Sequence, residues 1–369
     1  MRIAYGVMGY GRGHSTRSMA VLSSLAREHD VTVFAGGDAH SMLAPHFPTV
    51  EIPSLGYAHG GAGGVTFAAT VARNAGLAAE LMFGGASLRN VVDEFRRRDV
   101  ELVISDSEAF CHRAARRLGI PRISFDHVGV IAWCKPHFPP NLAWRGRRDG
   151  WGYRTLMGEP DRVIISSFYP AQPMKPSTRM VGPMLRREVH AITPRSGEHL
   201  LAYFNRGHLQ YSARIENVLR QVDAPIRIYG TSFEGTRENL EFRPIDPVAF
   251  LHDVAAARAV IATAGNQLIG ELLHFRKPIL ALPERVFEQQ LNAWMVERMG
   301  IGRASGLDTL TVDDVAVFLG ELDACAARTE GYGTDGTPEA LDLLRRFIDE
   351  LRDEREHTRP RTATFDSVR

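Results

Sequence analysis

The chain has 369 residues, 44% of them hydrophobic and 24% charged. That is long for one hydrophobic core and comfortable for two. Its 44 basic and 43 acidic side chains leave a formal net charge of +1, so it lacks the broad positive field of a nucleic-acid binder.

Ile3 to Val7 reads as a short strand, followed by a glycine-rich turn at residues 9–13 and a helical pattern through Met19, Leu22 and Leu25. Further strands are expected at Val31 to Ala35, Val100 to Ser105, Ile120 to Phe125 and Val163 to Ser166, with a helix carrying Ala114, Ala115 and Leu118 between two of them. Strands alternating with helices indicate a parallel sheet covered on both faces. Gln172 to Arg195 holds Pro173, Pro176, Pro183 and Pro194 and little periodicity, which predicts an inter-domain linker. The pattern then restarts, with strands at His199 to Phe204, Ile226 to Tyr229, Ala259 to Ala262 and Pro278 to Leu282. Helices are expected at Ile215 to Val222, Val248 to Ala256, Leu268 to Phe275 and Gln290 to Met299. Residues 326–337 read as a polar connection. Pro338 then opens a helix whose apolar face is Leu341, Leu344, Phe347, Ile348 and Leu351. The residues after about His357 are mostly polar and expected to fray.

Three scattered cysteines, Cys111, Cys134 and Cys325, match neither a zinc knuckle nor a redox motif. They predict no disulfide framework and suit a reducing cytoplasm. No secretory leader is legible, and no segment approaches the ~20 apolar residues that span a bilayer. The histidines form no metal-ligating cluster.

The most informative stretch is Val260 to Gly302. A strand leads into Thr263-Ala264-Gly265-Asn266-Gln267 and a helix. A small-residue turn at a helix start points backbone N–H groups outward, and with the helix dipole these favour a phosphate. Glu271 lies about one turn further, off the apolar stripe of Leu268, Ile269, Leu272 and Leu273; its carboxylate can accept two hydrogen bonds from a ribose diol. The loop after Lys277-Pro278 carries Glu288-Gln289-Gln290 and then Asn292. Amides and a carboxylate suit sugar hydroxyls, which both donate and accept. Singly, each of these residues is as easily a solvated helix or loop position; the ordered set is not.

This stretch resembles the C-terminal domain of glycosyltransferase family 28, which includes the lipid II-forming GlcNAc transferase, with antibiotic and plant glycosyltransferases as its GT-B relatives. The shared pattern is Gly265-Asn266, Glu271, Arg276-Lys277-Pro278 and Glu288-Gln289-Gln290 with Asn292. The resemblance implies an α/β GT-B fold, two Rossmann-like domains facing across a cleft. The acceptor-side domain would span residues 1–180, the donor domain 198–325, and a helix at 338–357 would pack back across the junction. It implies diphosphate contacts at Gly265, Asn266 and Gln267, ribose at Glu271, and donor-sugar hydroxyls at Glu288, Gln289 and Gln290. Phe242-Arg243-Pro244-Ile245-Asp246 looks like the base-binding loop, with Ile245 facing the base, and Asn205-Arg206-Gly207 like the loop that meets the phosphates.

Gly9-Tyr10-Gly11-Arg12-Gly13-His14 sits where α/β folds place ligands. It is no dinucleotide fingerprint, since position 14 is histidine and the second strand ends Val33-Phe34-Ala35-Gly36 without an acid. A glycine run ending in histidine, here with Gly11 and Gly13, does resemble the start of family 28 enzymes. The implied role of His14 is general base toward an acceptor hydroxyl, and imidazole titrates in the range that suits it. A carboxylate usually orients such a base; Asp106 is the first candidate and Asp126, beside His127, the second. The bland reading is a histidine that caps the helix or binds phosphate without proton transfer.

Gly56, Gly60, Gly61, Gly63 and Gly64 surround Tyr57 and His59, and apolar residues continue through Leu77, Leu81, Met82 and Phe83. In the resembling families this segment is acceptor-side and sometimes touches a membrane; a flexible loop and a core helix are preferred here. Trp133, Trp144 and Trp151, near His137 and Phe138, would either stack on an acceptor or lie in the core. No Asp-x-Asp triplet occurs, so the helix start would stabilise the leaving nucleotide instead of a metal. The expected activity is that of an inverting, metal-independent glycosyltransferase of hexosyltransferase type. It would have no resident cofactor, a nucleotide sugar as co-substrate and a small-molecule or lipid-linked acceptor. A nucleotide-sugar hydrolase or 2-epimerase of the same fold is the nearest alternative. A catalytically silent partner subunit is a further one, and an NAD-dependent oxidoreductase is disfavoured.

Overall fold

Runs such as Ile-Ala-Tyr-Gly-Val and Leu-Val-Ile-Ser are apolar on both faces, which suits only strands covered on both sides. The computed structural model describes residues 1–58, 66–333 and 335–358 and places these runs in two parallel sheets. The first holds β1 (Arg2–Val7), β2 (Asp30–Ala35), β3 (Thr49–Glu51), β4 (Leu102–Asp106), β5 (Arg122–Asp126), β6 (Arg162–Ser166) and β7 (Thr178–Val181) in the order β3-β2-β1-β4-β5-β6-β7. The second holds β8 (Leu200–Tyr203), β9 (Ile226–Tyr229), β10 (Gly235–Arg237), β11 (Leu240–Arg243), β12 (Ala259–Ala262), β13 (Ile279–Ala281) and β14 (Gly302–Ala304) in the order β10-β11-β9-β8-β12-β13-β14. Only β10 runs antiparallel, paired to β11.

Each sheet therefore reverses direction of growth beside its first strand, between β1 and β4 and between β8 and β12. Ligands of doubly wound sheets bind outside the carboxyl ends of the strands at that point. Two such points carry the glycine turn and Asp106 in one domain, and the Asn205 loop and Gly265 in the other.

The stretch expected to be all linker is not. Thr178–Val181 pairs in register with β6 and completes the first sheet, and Arg187–His190 is a short helix. A four-residue edge strand bounded by prolines has no alternation long enough to betray it. Residues 326–337 are likewise not a connection throughout, because the helix Leu322–Thr329 runs into them. The last helix, Thr337–Thr358, lays Ala340, Leu343, Leu344, Phe347, Ile348 and Leu351 into the core of the first domain. Arg162 bonds Glu350 and Glu354 of that helix, so a segment that follows the second domain in sequence packs against the first.

Of the glycine-rich segment, His59, Gly60, Gly61, Gly63 and Gly64 lie outside the described residues. Gly56 exchanges hydrogen bonds with the Asn74 side chain at its edge. The helix Phe67–Phe83 is not the core helix expected. Leu81 is buried, but Met82 and Phe83 are exposed, Phe83 by 88%, because the helix lies over the first domain's surface and touches it along one edge. Trp133 belongs to the core, whereas Trp144 and Trp151 are 72% and 66% exposed.

Candidate active site

The glycine turn is required by backbone geometry. A Cβ on Gly9 would stand 2.3 Å from the Gly36 carbonyl oxygen, and Gly11 has φ +82°, a region that favours glycine. Gly11 N donates to Asp38 Oδ2 at 3.0 Å. The turn delivers the chain into the helix Arg12–Glu28, which buries Ser15, Arg17, Ser18, Val21, Leu22 and Leu25. His14 lies in its first turn at the rim of that face.

Asp106 ends β4, the strand beside β1, and is fully buried. His14 Nδ1 lies 2.7 Å from Asp106 Oδ1. Arg17 donates from Nε to Oδ2 at 3.0 Å and from Nη2 to Oδ1 at 2.5 Å, and Ser18 Oγ reaches Oδ2 at 3.3 Å. Burial alone would raise the Asp106 carboxyl, but Arg17, and then His14, outweigh it and hold the group below the usual carboxylate range. Asp126, the second candidate, does not meet His14. Its carboxylate accepts from Ser124 Oγ and Gly129 N, opening the turn Val130–Trp133, and burial with the Asp106 charge pushes it upward.

Across the cleft, the helix Asn266–His274 starts after Gly265, and among the described residues no side chain caps it, so its first N–H groups, from Asn266 onward, remain available donors. A Cβ on Gly13 would lie 3.9 Å from Gln267 Cβ, which sets this helix start against the glycine turn. The side chains there are committed elsewhere. Asn266 Oδ1 accepts from Phe168 N at 3.2 Å and its Nδ2 faces Ser166 O, tying the two domains together. Gln267 Nε2 donates to Met184 O at 2.7 Å and to Glu271 Oε1 at 3.2 Å.

Glu271 is not a solvated helix residue. It is 2% exposed, and Arg186 donates from Nε and Nη2 to its two oxygens, each at 2.8 Å. Both Arg186 and Arg17 escaped sequence reasoning. Arg186 sits in an aperiodic linker. Arg17 had a weak signal, its place beside the Ser15, Ser18 and Val21 face.

The Glu288 run is also a junction. Asn292 Nδ2 donates to Ala264 O at 2.9 Å and Glu288 Oε1 at 2.8 Å, while its Oδ1 lies 3.0 Å from His127 Nε2. His127 Nδ1 contacts Ser166 O at 3.0 Å. Burial pushes His127 down, and Glu288 opposes it. Gln289 bonds Glu284, accepting from its N–H at 2.9 Å. Gln290 Oε1 accepts from Arg145 of the first domain at 2.8 Å.

The remaining expected residues lie further along the same edge. Asn205 Oδ1 accepts from Gln210 within its own loop. The adjoining Arg206 instead spans the cleft, bonding Asp38 at 3.1 Å with its guanidinium 4.1 Å from the Tyr10 ring centre. Ile245 is 39% exposed just before Asp246, which caps the helix Pro247–Ala256. Among the described residues no three histidine, cysteine or acidic side chains gather as metal ligands. No described helix is long and apolar enough to cross a membrane.

A histidine–carboxylate pair facing an uncapped helix start across an inter-domain cleft is an arrangement able to move a proton on one side and hold an anion on the other. Known proteins agree with that architecture. A family model described as glycosyl transferase family 1 matches residues 1–323. A glycosyltransferase of Methanosarcina acetivorans is 24% identical over 335 residues, 84% of this chain and 86% of its own. Among solved structures, the glycosyltransferase of kitacinnamycin superposes with a TM-score of 0.66 at 19% identity, over 94% of this chain and 98% of its own. Glycosyltransferase VinC, in complex with dTDP, does so at 0.61 and 14% identity, over 97% and 100%. The expected kinship with antibiotic glycosyltransferases is met, and with the family model spanning most of its length the chain belongs to glycosyl transferase family 1 and is a glycosyltransferase of GT-B fold.

Proposed function

We propose that this glycosyltransferase moves a sugar from a nucleoside-diphosphate sugar to an acceptor hydroxyl, with inversion at the anomeric carbon and without a metal ion. The observation that carries the proposal is the 2.7 Å contact between His14 and Asp106 on a turn set against the helix start at Gly265. His14 Nε2 takes the acceptor proton as that oxygen bonds to the anomeric carbon. The bond from that carbon to the diphosphate oxygen breaks, and the nucleotide leaves with its charge met by the N–H groups of Asn266 and Gln267 at the helix start, the Gly265 N–H being held by Thr263 O. Attack from the side opposite the leaving group inverts the centre. Asp106 keeps the ring oriented and its proton on Nδ1.

On the donor side the ribose diol exchanges with Arg186 at Glu271, which frees the guanidinium for the diphosphate beside it. Ile245 lies along the base, and Glu288, Gln289 and Gln290 meet the sugar hydroxyls after giving up part of their present partners. A dTDP complex of the similar VinC supports a nucleotide in this fold. The acceptor is a small molecule or a lipid-linked one. The helix Ala143–Met157 turns Trp144, Arg147, Trp151 and Arg154 outward, at i, i+3, i+7 and i+10, a face that suits peripheral contact with anionic lipid.

The test is a thermal-shift and calorimetric screen with uridine, thymidine and guanosine diphosphates, since a ligand bound only by the native state raises its melting temperature. One of them is expected to bind, Glu271→Ala to weaken it at least about tenfold, and His14→Ala to leave it unchanged while abolishing transfer. Unaltered nucleotide affinity in Glu271→Ala refutes the donor site. Incubation with the nucleotide sugar alone separates a transferase, which releases little nucleotide, from a hydrolase or an epimerase.

A further inference from the structure

Arg17 is a costly residue to place where it stands. Its side chain is 4% exposed and Asp106 is fully buried, and a buried ion pair is seldom a gain over packed apolar side chains. The contacts show what the charge does there. Asp106 Oδ1 is shared between His14 Nδ1 at 2.7 Å and Arg17 Nη2 at 2.5 Å, and that Nη2 also lies 3.0 Å from His14 Nδ1. One ring nitrogen of His14 therefore faces an acceptor and a donor at once.

A neutral imidazole has two tautomers. With its proton on Nδ1 it donates to Asp106 and keeps a lone pair on Nε2. With the proton on Nε2 it accepts from Arg17 and offers nothing basic to an acceptor. An ionised buried carboxylate with no other cation would favour a third state, the imidazolium, whose Nε2 is already occupied. We propose that Arg17 is a positioning residue that keeps His14 neutral by cancelling the charge of Asp106, leaving Asp106 to select the Nδ1–H tautomer. The other groups around the carboxylate do not replace it. Ser18 is a neutral donor, Tyr5 and Asp126 act on the cluster as a phenol and a second acid, and among the described residues Arg17 is the one permanent cation bonded to Asp106.

The proposal rests on His14 as the base, so its test reads the ring and not the reaction. Ring nitrogen chemical shifts of His14, assigned by their loss in His14→Gln, are followed against pH in the full chain labelled with nitrogen-15. Wild type is expected as the neutral Nδ1–H tautomer above its titration. Arg17→Met is expected to bind the ring proton about tenfold more tightly, so that the imidazolium persists to higher pH. Arg17→Lys, which keeps the charge and is the safer variant for folding, is expected to stay within about threefold of wild type. A His14 titration in folded Arg17→Met that coincides with wild type overturns the proposal, and so does an Arg17→Lys ring that is imidazolium where wild type is neutral. Failure of the transferase reading would show elsewhere, as transfer unaffected by His14→Ala, and would leave these ring titrations as they are.

Discussion

His112 is fully buried, and among the described residues neither ring nitrogen has a hydrogen-bond partner. Burial, reinforced by Arg122 and Arg113, pushes it down to about 3 from 6.5. The native state therefore keeps it neutral over a range in which the unfolded chain takes up a proton. The depressed value contributes stability that is present above pH 6.5 and is lost as pH falls toward 3, at up to about 1.4 kcal/mol per pH unit from this residue. Urea unfolding between pH 6.5 and 5 is expected to show that slope, and His112→Leu, which has nothing to protonate, to flatten it. Asp106 acts in the same sense lower down, since its depressed carboxyl loses its contribution only as pH falls below the usual carboxylate range. At Glu271 the expectation is structural as well as functional. Removing it leaves Arg186, 23% exposed, without its counter-ion, and Glu271→Ala should cost about 2 kcal/mol in unfolding free energy.

The helix Asn266–His274 illustrates how an element's environment overrides its propensity. Gly270 sits in its middle, where alanine would ordinarily add about 1 kcal/mol of helix stability. A Cβ there would stand 2.3 Å from Pro183 Cβ, so the bare backbone is what lets the linker lie against the helix that holds Gly265 and Glu271. Gly270→Ala is expected to lower the melting temperature and weaken nucleotide binding together, because the Arg186 segment is displaced. Gly320→Ala, where nothing lies within 4 Å, is the matched control and should be neutral or stabilising. Short elements were legible where apolar runs reached four residues, as at Leu200–Tyr203 and Ala259–Ala262. The strands Thr49–Glu51, Gly235–Arg237 and Gly302–Ala304 were not, because each is three residues long without the apolar run that marks Ile279–Ala281.

At the scale of the whole molecule, the two domains are joined by polar bonds that surround the cleft. Arg206 reaches Asp38, Arg145 reaches Gln290, and Asn292 reaches His127. The last is fully buried, and its Asn292 also serves Ala264 O and Glu288. Asn292→Leu takes the hydrogen bond from His127 Nε2, which keeps only Glu288 Oε1 at 3.6 Å, and removes the side-chain donor to the Ala264 carbonyl. Each such loss costs about 1–3 kcal/mol, so the variant is expected to unfold at clearly lower denaturant, with separate transitions for the domains in place of one. A single transition with unchanged midpoint would show that the junction does not couple them.

Both α/β domains, the glycine turn ending in His14 and the small-residue helix start at Gly265 were legible in the sequence, which left Asp106 and Asp126 both open as the partner of His14. Each depends on local rules: apolar runs make strands, glycines make tight turns, and parallel strands put their carboxyl ends on one edge. Tertiary structure decided everything that depends on partners distant in the chain. It placed Thr178–Val181 at a sheet edge, set Asp106 and not Asp126 against His14, and seated Arg17 and Arg186 on the carboxylates of Asp106 and Glu271. It also turned Asn266, Gln290 and Asn292 into ties between domains. An arginine or an amide carries no periodicity to announce its partner, and a buried charge finds its counter-charge only when the chain has folded around both.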